Sequence, residues 1–220
     1  DAINDYGNAV QYASEILKSG GIVALPTETV YGLAASAYSD DAIKAVFTAK
    51  GRPQDNPLIV HISSLDMLDD VATDIPDVAY ECAKTFWPGP FTMVLPKGDK
   101  VADSVSAGLK TVAVRFPSDK TICDIITKSN LPLAAPSANT SGRPSPTTAA
   151  HVIEDLDGKI DAVVMGDDCS VGVESTVVSL TGEKPRLLRP GAVTPQQLRK
   201  VLPELEIDEA VLEQLKEGEA

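Results

Sequence analysis

Lys50 and Arg52 stand two residues apart, with Gly51 between them to let the backbone turn. A lysine point charge and an arginine fork so placed can hold different oxygens of one polyphosphate. Ser137 and Asn139, again two apart, offer neutral hydrogen-bond donors and acceptors. In a site of low dielectric, such preorganised groups stabilise charge developing on a transferring phosphoryl group. Thr27, Thr29, Ser175 and Thr176 supply hydroxyls that could recognise a small polar molecule. A wrong ligand would leave those hydroxyls unpaired, so recognition of this kind is strict. For any one threonine, an ordinary loop hydrogen bond is the plain alternative.

The charge distribution sharpens this picture. The 220 residues carry a net charge of −13, and residues 201–220 contribute −6 of it through seven acids and one lysine. An acidic chain is a poor candidate for phosphate-backbone binding, which needs a basic face. Stable nucleic-acid binding is therefore not expected. Yet five of the six arginines, Arg52, Arg115, Arg143, Arg186 and Arg189, lie in or beside stretches rich in Gly, Pro and Thr. They either converge on one anion or are simply solvated. His61 ends an apolar run beside the cationic loop, where a structural and a ligand-contacting role are equally open; His151 reads as a surface residue.

Several chemistries lack their sequence signals. No Gly-x-x-x-x-Gly-Lys-Ser/Thr, no Gly-x-Gly-x-x-Gly after a strand and no His-Glu-x-x-His occurs. Cys82, Cys123 and Cys169 are widely spaced and read as buried, inert thiols of a reducing, cytoplasmic setting. No apolar run approaches the roughly 20 residues of a membrane span.

The elements that must position these groups follow from periodicity. Apolar spacing predicts helices over 6–18 and 119–128, a mostly helical 65–86 broken at Ile75-Pro76, and short helices over 195–202 and 208–217. A further helix carries Ile43, Val46 and Phe47 on one side, with Asp40 as its N-cap, and runs out at Lys50-Gly51-Arg52-Pro53. Thr147 or Thr148 caps another, which reaches Leu156. Strands are expected at 22–25, 58–61, 91–95, 111–116, 133–135, 162–165, 174–180 and 186–189, with a stiff turn at Trp87-Pro88-Gly89-Pro90. Along 111–116, Val112, Val114 and Phe116 point one way and Thr111, Ala113 and Arg115 the other. The second face lines a polar site or lies in water at an edge. The alternation predicts a three-layer α/β fold, a twisted open mixed sheet flanked by helices. A chain of this length can bury about 70% of its unfolded surface without staples.

Taken in order, Pro-Thr-Glu-Thr-Val-Tyr-Gly-Leu, Lys50-x-Arg52 with Asn-Pro-Leu-Ile-Val-His, Trp-Pro-Gly-Pro, Ala-Pro-Ser-Ala-Asn, Gly-Val-Glu-Ser-Thr and Leu-Arg-Pro-Gly are far more specific than any part. Over residues 8–202 the chain resembles the threonylcarbamoyl-AMP synthase family, with its YrdC-type domain. The resemblance implies a reaction: L-threonine, bicarbonate or carbon dioxide, and ATP give threonylcarbamoyl-adenylate and pyrophosphate. The product then serves proteins that transfer the threonylcarbamoyl group to adenosine in tRNA. By motif match, Thr29, His61, Arg115, Ala135 (through its backbone) and Ser175 are the implied threonine contacts. Arg52, Asn56, Thr111, Ser137, Ser145 and Arg189 are the implied ATP contacts. Lys50 and Asn139 complete a Lys-x-Arg and Ser-x-Asn catalytic signature, and Mg2+ is implied with the triphosphate. Residues 1–202 would form the catalytic domain. Residues 203–220 would be an acidic segment leading to the linker and second domain of longer members. An RNA-binding module of the same fold, and a relative making carbamoyl-adenylate from carbamoyl phosphate, remain as alternatives.

Overall fold

Short strands of two to six residues that are apolar on both faces demand cover on both sides, and the protein meets that demand unevenly. The computed structural model describes residues 4–54 and 56–218. Ten strands form one mixed sheet: β1 (Val23–Leu25), β2 (Gly32–Ser36), β3 (Ile59–His61), β4 (Phe91–Pro96), β5 (Thr111–Arg115), β6 (Leu133–Ala134), β7 (Ala162–Val163), β8 (Thr176–Ser179), β9 (Arg186–Arg189) and β10 (Glu206–Ile207). Their order across the sheet is β10-β9-β8-β4-β5-β3-β6-β2-β1-β7. The helices are α1 (Tyr6–Lys18), α2 (Asp40–Lys50), α3 (Leu68–Val71), α4 (Asp77–Phe86), α5 (Lys120–Ser129), α6 (Ala149–Leu156), α7 (Pro195–Arg199) and α8 (Glu209–Gly218).

Alternation along the strands divides the core in two. Leu33, Ala35, Val60, Met93, Val112, Val114, Val178 and Leu187 face one cluster, which α2, α3, α4 and α6 complete. Ala34, Val23, Leu25 and Leu133 face the other, closed by Val10, Ala13 and Leu17 of α1 and Ile122, Ile125 and Ile126 of α5. The expected three-layer α/β sheet is thus the one observed. The α1–α5 layer reaches β1, β2, β6 and, through Ala162, β7; no described residue of β3, β4, β5 or β8 joins its cluster. Beyond β6 that face of the sheet has no helical cover among the described residues. By alternation it carries Ile59 and His61, Thr111, Ala113 and Arg115, and Thr92.

One irregularity re-aims a side chain onto this face. Val178 pairs with Leu187, but its neighbour Val177 pairs with Arg189, so Leu188 is an extra residue on β9. Without that bulge Arg189 would share the core face with Leu187. With it, Arg189 sits on the uncovered side.

Three local features differ from the sequence expectation. Ser39, not Asp40, caps α2: its hydroxyl accepts from Ala42 N at 3.2 Å, and Asp40 instead accepts from Ser104. Strand β2 has no alternation to mark it, since all of Gly-Leu-Ala-Ala-Ser is buried. Strand β10 pairs with β9, and Leu205 and Val211 enter the main core, so the acidic segment from 203 continues the sheet. Among the described residues no helix is long and apolar enough to cross a membrane.

Ser39→Ala should lower stability by about 1 kcal/mol, the usual cost of a lost N-cap. A urea titration showing no shift in midpoint would return the capping role to Asp40.

Candidate functional site

Arg115 ends β5 on the uncovered face with 3% of its surface exposed. A charge so deep requires partners. Its Nε donates to Gly89 O at 3.2 Å, within the Trp-Pro-Gly-Pro turn, and its Nη1 donates to Thr29 Oγ1 at 2.9 Å. Its Nη2 is ion-paired with Glu28, itself buried. The other Glu28 oxygen accepts from the backbone N–H and the hydroxyl of Ser118, just ahead of α5. Burial, then the charge of Arg189, pulls the guanidinium down to about 9. Contact with Glu28 opposes that shift, and Arg115 stays cationic at neutral pH.

Around Arg115 lies a cavity of about 140 Å3. All five residues expected to hold an amino acid line it: Thr29, His61, Arg115, Ala135 and Ser175. All five are buried. Arg52, Ser137 and Arg189 line it too, and these are half-exposed. The cavity therefore has a deep part rich in hydroxyls around one cation and a shallower part with two further cations. Gly32 makes this possible where β2 meets the loop after β6. A Cβ there would lie 3.1 Å from that of Ala135.

The remaining expected residues stand behind or beside the cavity. The Lys50 ammonium turns away from it and donates to the carbonyls of Ser137 and, at 2.9 Å, Asn139. The Lys50 carbonyl accepts from Ser141 N at 2.9 Å. Asn139 Nδ2 donates to Thr140 O and Arg143 O at 2.9 and 2.8 Å, while its Oδ1 is buried without a partner. Both residues shape the loop that presents Ser137 instead of facing the cavity. The reason is geometric: the last turn of α2 runs under that loop, and Gly51 turns the chain back at φ 61° so that Arg52, not Lys50, meets the opening. Burial, then the Arg52 charge, lowers the Lys50 ammonium to about 8. Thr111 lies on the Arg115 face of β5, two residues before Ala113, and Asn56 is exposed next to Pro57 at the rim. Ser145 reaches the cavity through Glu174, donating to its Oε1 at 3.2 Å.

Sequence reasoning missed both acidic residues of the site. Glu28 sits in the hydroxyl loop and Glu174 beside Ser175, and each reads as one more solvated charge. The available signal for Glu28 was a carboxylate between two threonines in a loop next to a buried strand. Thr92, whose hydroxyl lies 2.7 Å from Ser175 Oγ, carried no signal. Burial pushes His61 down to about 4, so it is neutral, with Nδ1 3.2 Å from Ile59 O. Of the three cysteines expected to be buried, Cys82 is, while Cys123 and Cys169 are half-buried; partial or full burial pushes their thiols up to about 11, 12 and 11, which suits inert groups.

The Sua5–YciO–YrdC family model, described as telomere recombination, matches residues 15–191. The chain belongs to this family. Among curated Sua5–YciO–YrdC relatives, the threonylcarbamoyl-AMP synthase of Pyrococcus abyssi is 50% identical over 202 residues, covering 92% of this chain and 59% of its own. The threonylcarbamoyl-AMP synthase of Bacillus subtilis is 46% identical over 215 residues, covering 97% and 62%. The chain thus spans about three-fifths of the length of these relatives. The crystal structure of P. abyssi Sua5 complexed with L-threonine superposes with a TM-score of 0.90 at 49% identity, over 92% of this chain and 60% of that one.

Two outcomes check the site. Arg115→Ala should destabilise by about 3–5 kcal/mol, because Glu28 is left buried and unpaired. Arg115→Ala with Glu28→Gln should recover part of the loss in a double-mutant cycle, and strict additivity would mean the pair is not coupled. For His61, the folded state resists protonation until about pH 4 whereas an unfolded histidine takes a proton near 6.5. Its contribution is therefore full above pH 6.5 and declines as pH falls toward 4, by up to about 3 kcal/mol. Urea midpoints across that range should show this slope, and His61→Asn should remove it.

Proposed function

We propose that this chain forms L-threonylcarbamoyladenylate and pyrophosphate from L-threonine, carbon dioxide or bicarbonate, and ATP, supplying the threonylcarbamoyl modification of tRNA. One observation carries the reading: a buried arginine among hydroxyls shares a cavity with two half-exposed arginines and a serine loop. The names of the relatives, and the L-threonine in the P. abyssi complex, support it.

Arg115 pairs with the carboxylate of threonine, aligned by Thr29, while Ser175, the backbone of Ala135 and neutral His61 complete the deep subsite. Arg52, Ser137 and Arg189 face the triphosphate, with Asn56, Thr111 and Ser145 at the rim. The threonine nitrogen forms a C–N bond to carbon dioxide and releases a proton, giving a carbamate. A carbamate oxygen then bonds to the α-phosphorus as the α–β P–O bond breaks, and pyrophosphate leaves with that electron pair. Positioning and charge neutralisation supply most of the acceleration, as is usual at phosphorus. Lys50 and Asn139 contribute by holding the Ser137 loop.

Mg2+ usually binds through substrate phosphates with one or two protein carboxylates. Among the described residues no group of three or more His, Cys, Asp or Glu side chains could hold a metal ion, so the ion would be held by the phosphates of ATP. The ion would neutralise phosphate charge and arrive with ATP. A cytoplasmic location and hand-over of the product to transfer proteins acting on tRNA belong to the same proposal.

Pyrophosphate release from ATP should require both threonine and bicarbonate. Release that persists with threonine omitted overturns the assignment. Arg52→Ala should cut turnover about 100-fold or more, as loss of a charge-stabilising donor does, with an unchanged urea midpoint.

A further inference from the structure

Among the described residues Glu174 is the one carboxylate lining the cavity, with Arg52, Arg115 and Arg189 around it. Its Oε1 accepts from Ser145 Oγ at 3.2 Å and its Oε2 accepts from Arg189 Nη1 at 3.0 Å. Two anionic oxygens shared between a hydroxyl and a guanidinium present the same chemistry as a phosphate. Both donors are residues assigned above to the nucleotide.

Three features make this carboxylate displaceable. First, its side chain is 43% exposed, unlike that of Glu28 at 8%, so a rotation takes it into water. Second, its backbone is fixed by close packing. A Cβ on Gly191 would lie 2.8 Å from Glu174 O and 2.5 Å from Thr176 N, so the turn after β9 is pressed against residues 174–176. Third, Arg189 does not depend on it for position. Its Nε donates to Ser175 O at 2.9 Å and its Nη2 donates to Ser175 Oγ at 3.1 Å. Ser175 Oγ is in turn 2.7 Å from Thr92 Oγ1. The fork stays aimed when the carboxylate leaves.

We propose that Glu174 is an internal competitor for polyphosphate: its carboxylate occupies Arg189 and Ser145 and must rotate away when a phosphate chain binds there. The competition weakens the hold on nucleotide and on pyrophosphate alike, which favours product departure at the expense of substrate affinity. The inference rests on reading the Arg189–Ser145 end as the polyphosphate end, and not on which amino acid fills the deep end.

The test is calorimetric titration of the full chain with inorganic pyrophosphate at low salt, comparing wild type with Glu174→Gln. The amide keeps the shape and removes the charge, and a urea titration checks the fold. Glu174→Gln should bind pyrophosphate about 5- to 50-fold more tightly, as expected when a like charge is removed from an anion site. The gain should shrink as salt is raised. Equal or weaker binding overturns the proposal. So does weakening seen only with Mg2+ present, which would make Glu174 a metal ligand, or binding by neither protein. If the variant binds more tightly but pyrophosphate release proves independent of threonine, the inference stands and the proposed reaction falls.

Discussion

The buried pairing of Arg115 with Glu28 is the constraint on which the cavity depends. Desolvating a guanidinium and a carboxylate costs several kcal/mol each unless each satisfies the other. The pair therefore forces three separate pieces of chain together: the hydroxyl loop after β1, the end of β5, and the approach to α5 through Ser118. The same contact positions Thr29 against the guanidinium and leaves other N–H groups of Arg115 free to meet a ligand. A cation held this way keeps its charge at neutral pH although water barely reaches it.

The sheet supplies the room. Helices α1 and α5 cover β7, β1, β2 and β6 on one face and stop at β6, so polar residues of β3, β4 and β5 open into a hollow and not into a second core. The division of labour is visible within single strands. Val112 and Val114 hold β5 to the main core while Thr111, Ala113 and Arg115 face the site. A function-bearing face and a stability-bearing face share one backbone, and neither can shift register without the other.

Much of this was legible in the sequence, for identifiable reasons. The alternation along 111–116 marks its two faces because apolar and polar residues separate cleanly there. The end of α2 is marked by Gly51, and Arg52, Ser137 and Arg189 do share one cleft. Strand β2 was invisible because a segment buried on both faces has no period to detect. The bulge at Leu188 was invisible because Arg-Leu-Leu-Arg reads as regular, and only pairing with β8 shows that one residue is surplus. Lys50 was misplaced for a related reason. Its spacing from Arg52 suggests two cations on one target, but a helical residue and its neighbour beyond a left-handed cap point in different directions. The acidic partners of the site were overlooked because a carboxylate gives no sign, in sequence, of the guanidinium it will meet.

The loop from Pro136 to Pro146 has little regular secondary structure, and its shape is set from beneath by a single ammonium group gripping two of its carbonyls. An amine suspended in that way, with its proton held less firmly than usual, is a latch rather than a wall. In an opened loop that amine would regain its ordinary proton affinity, so in mildly alkaline solution the open loop binds more protons than the closed one and the closed loop gains in stability. The latch is weakest below about pH 8, where the amine must carry its charge in a buried place.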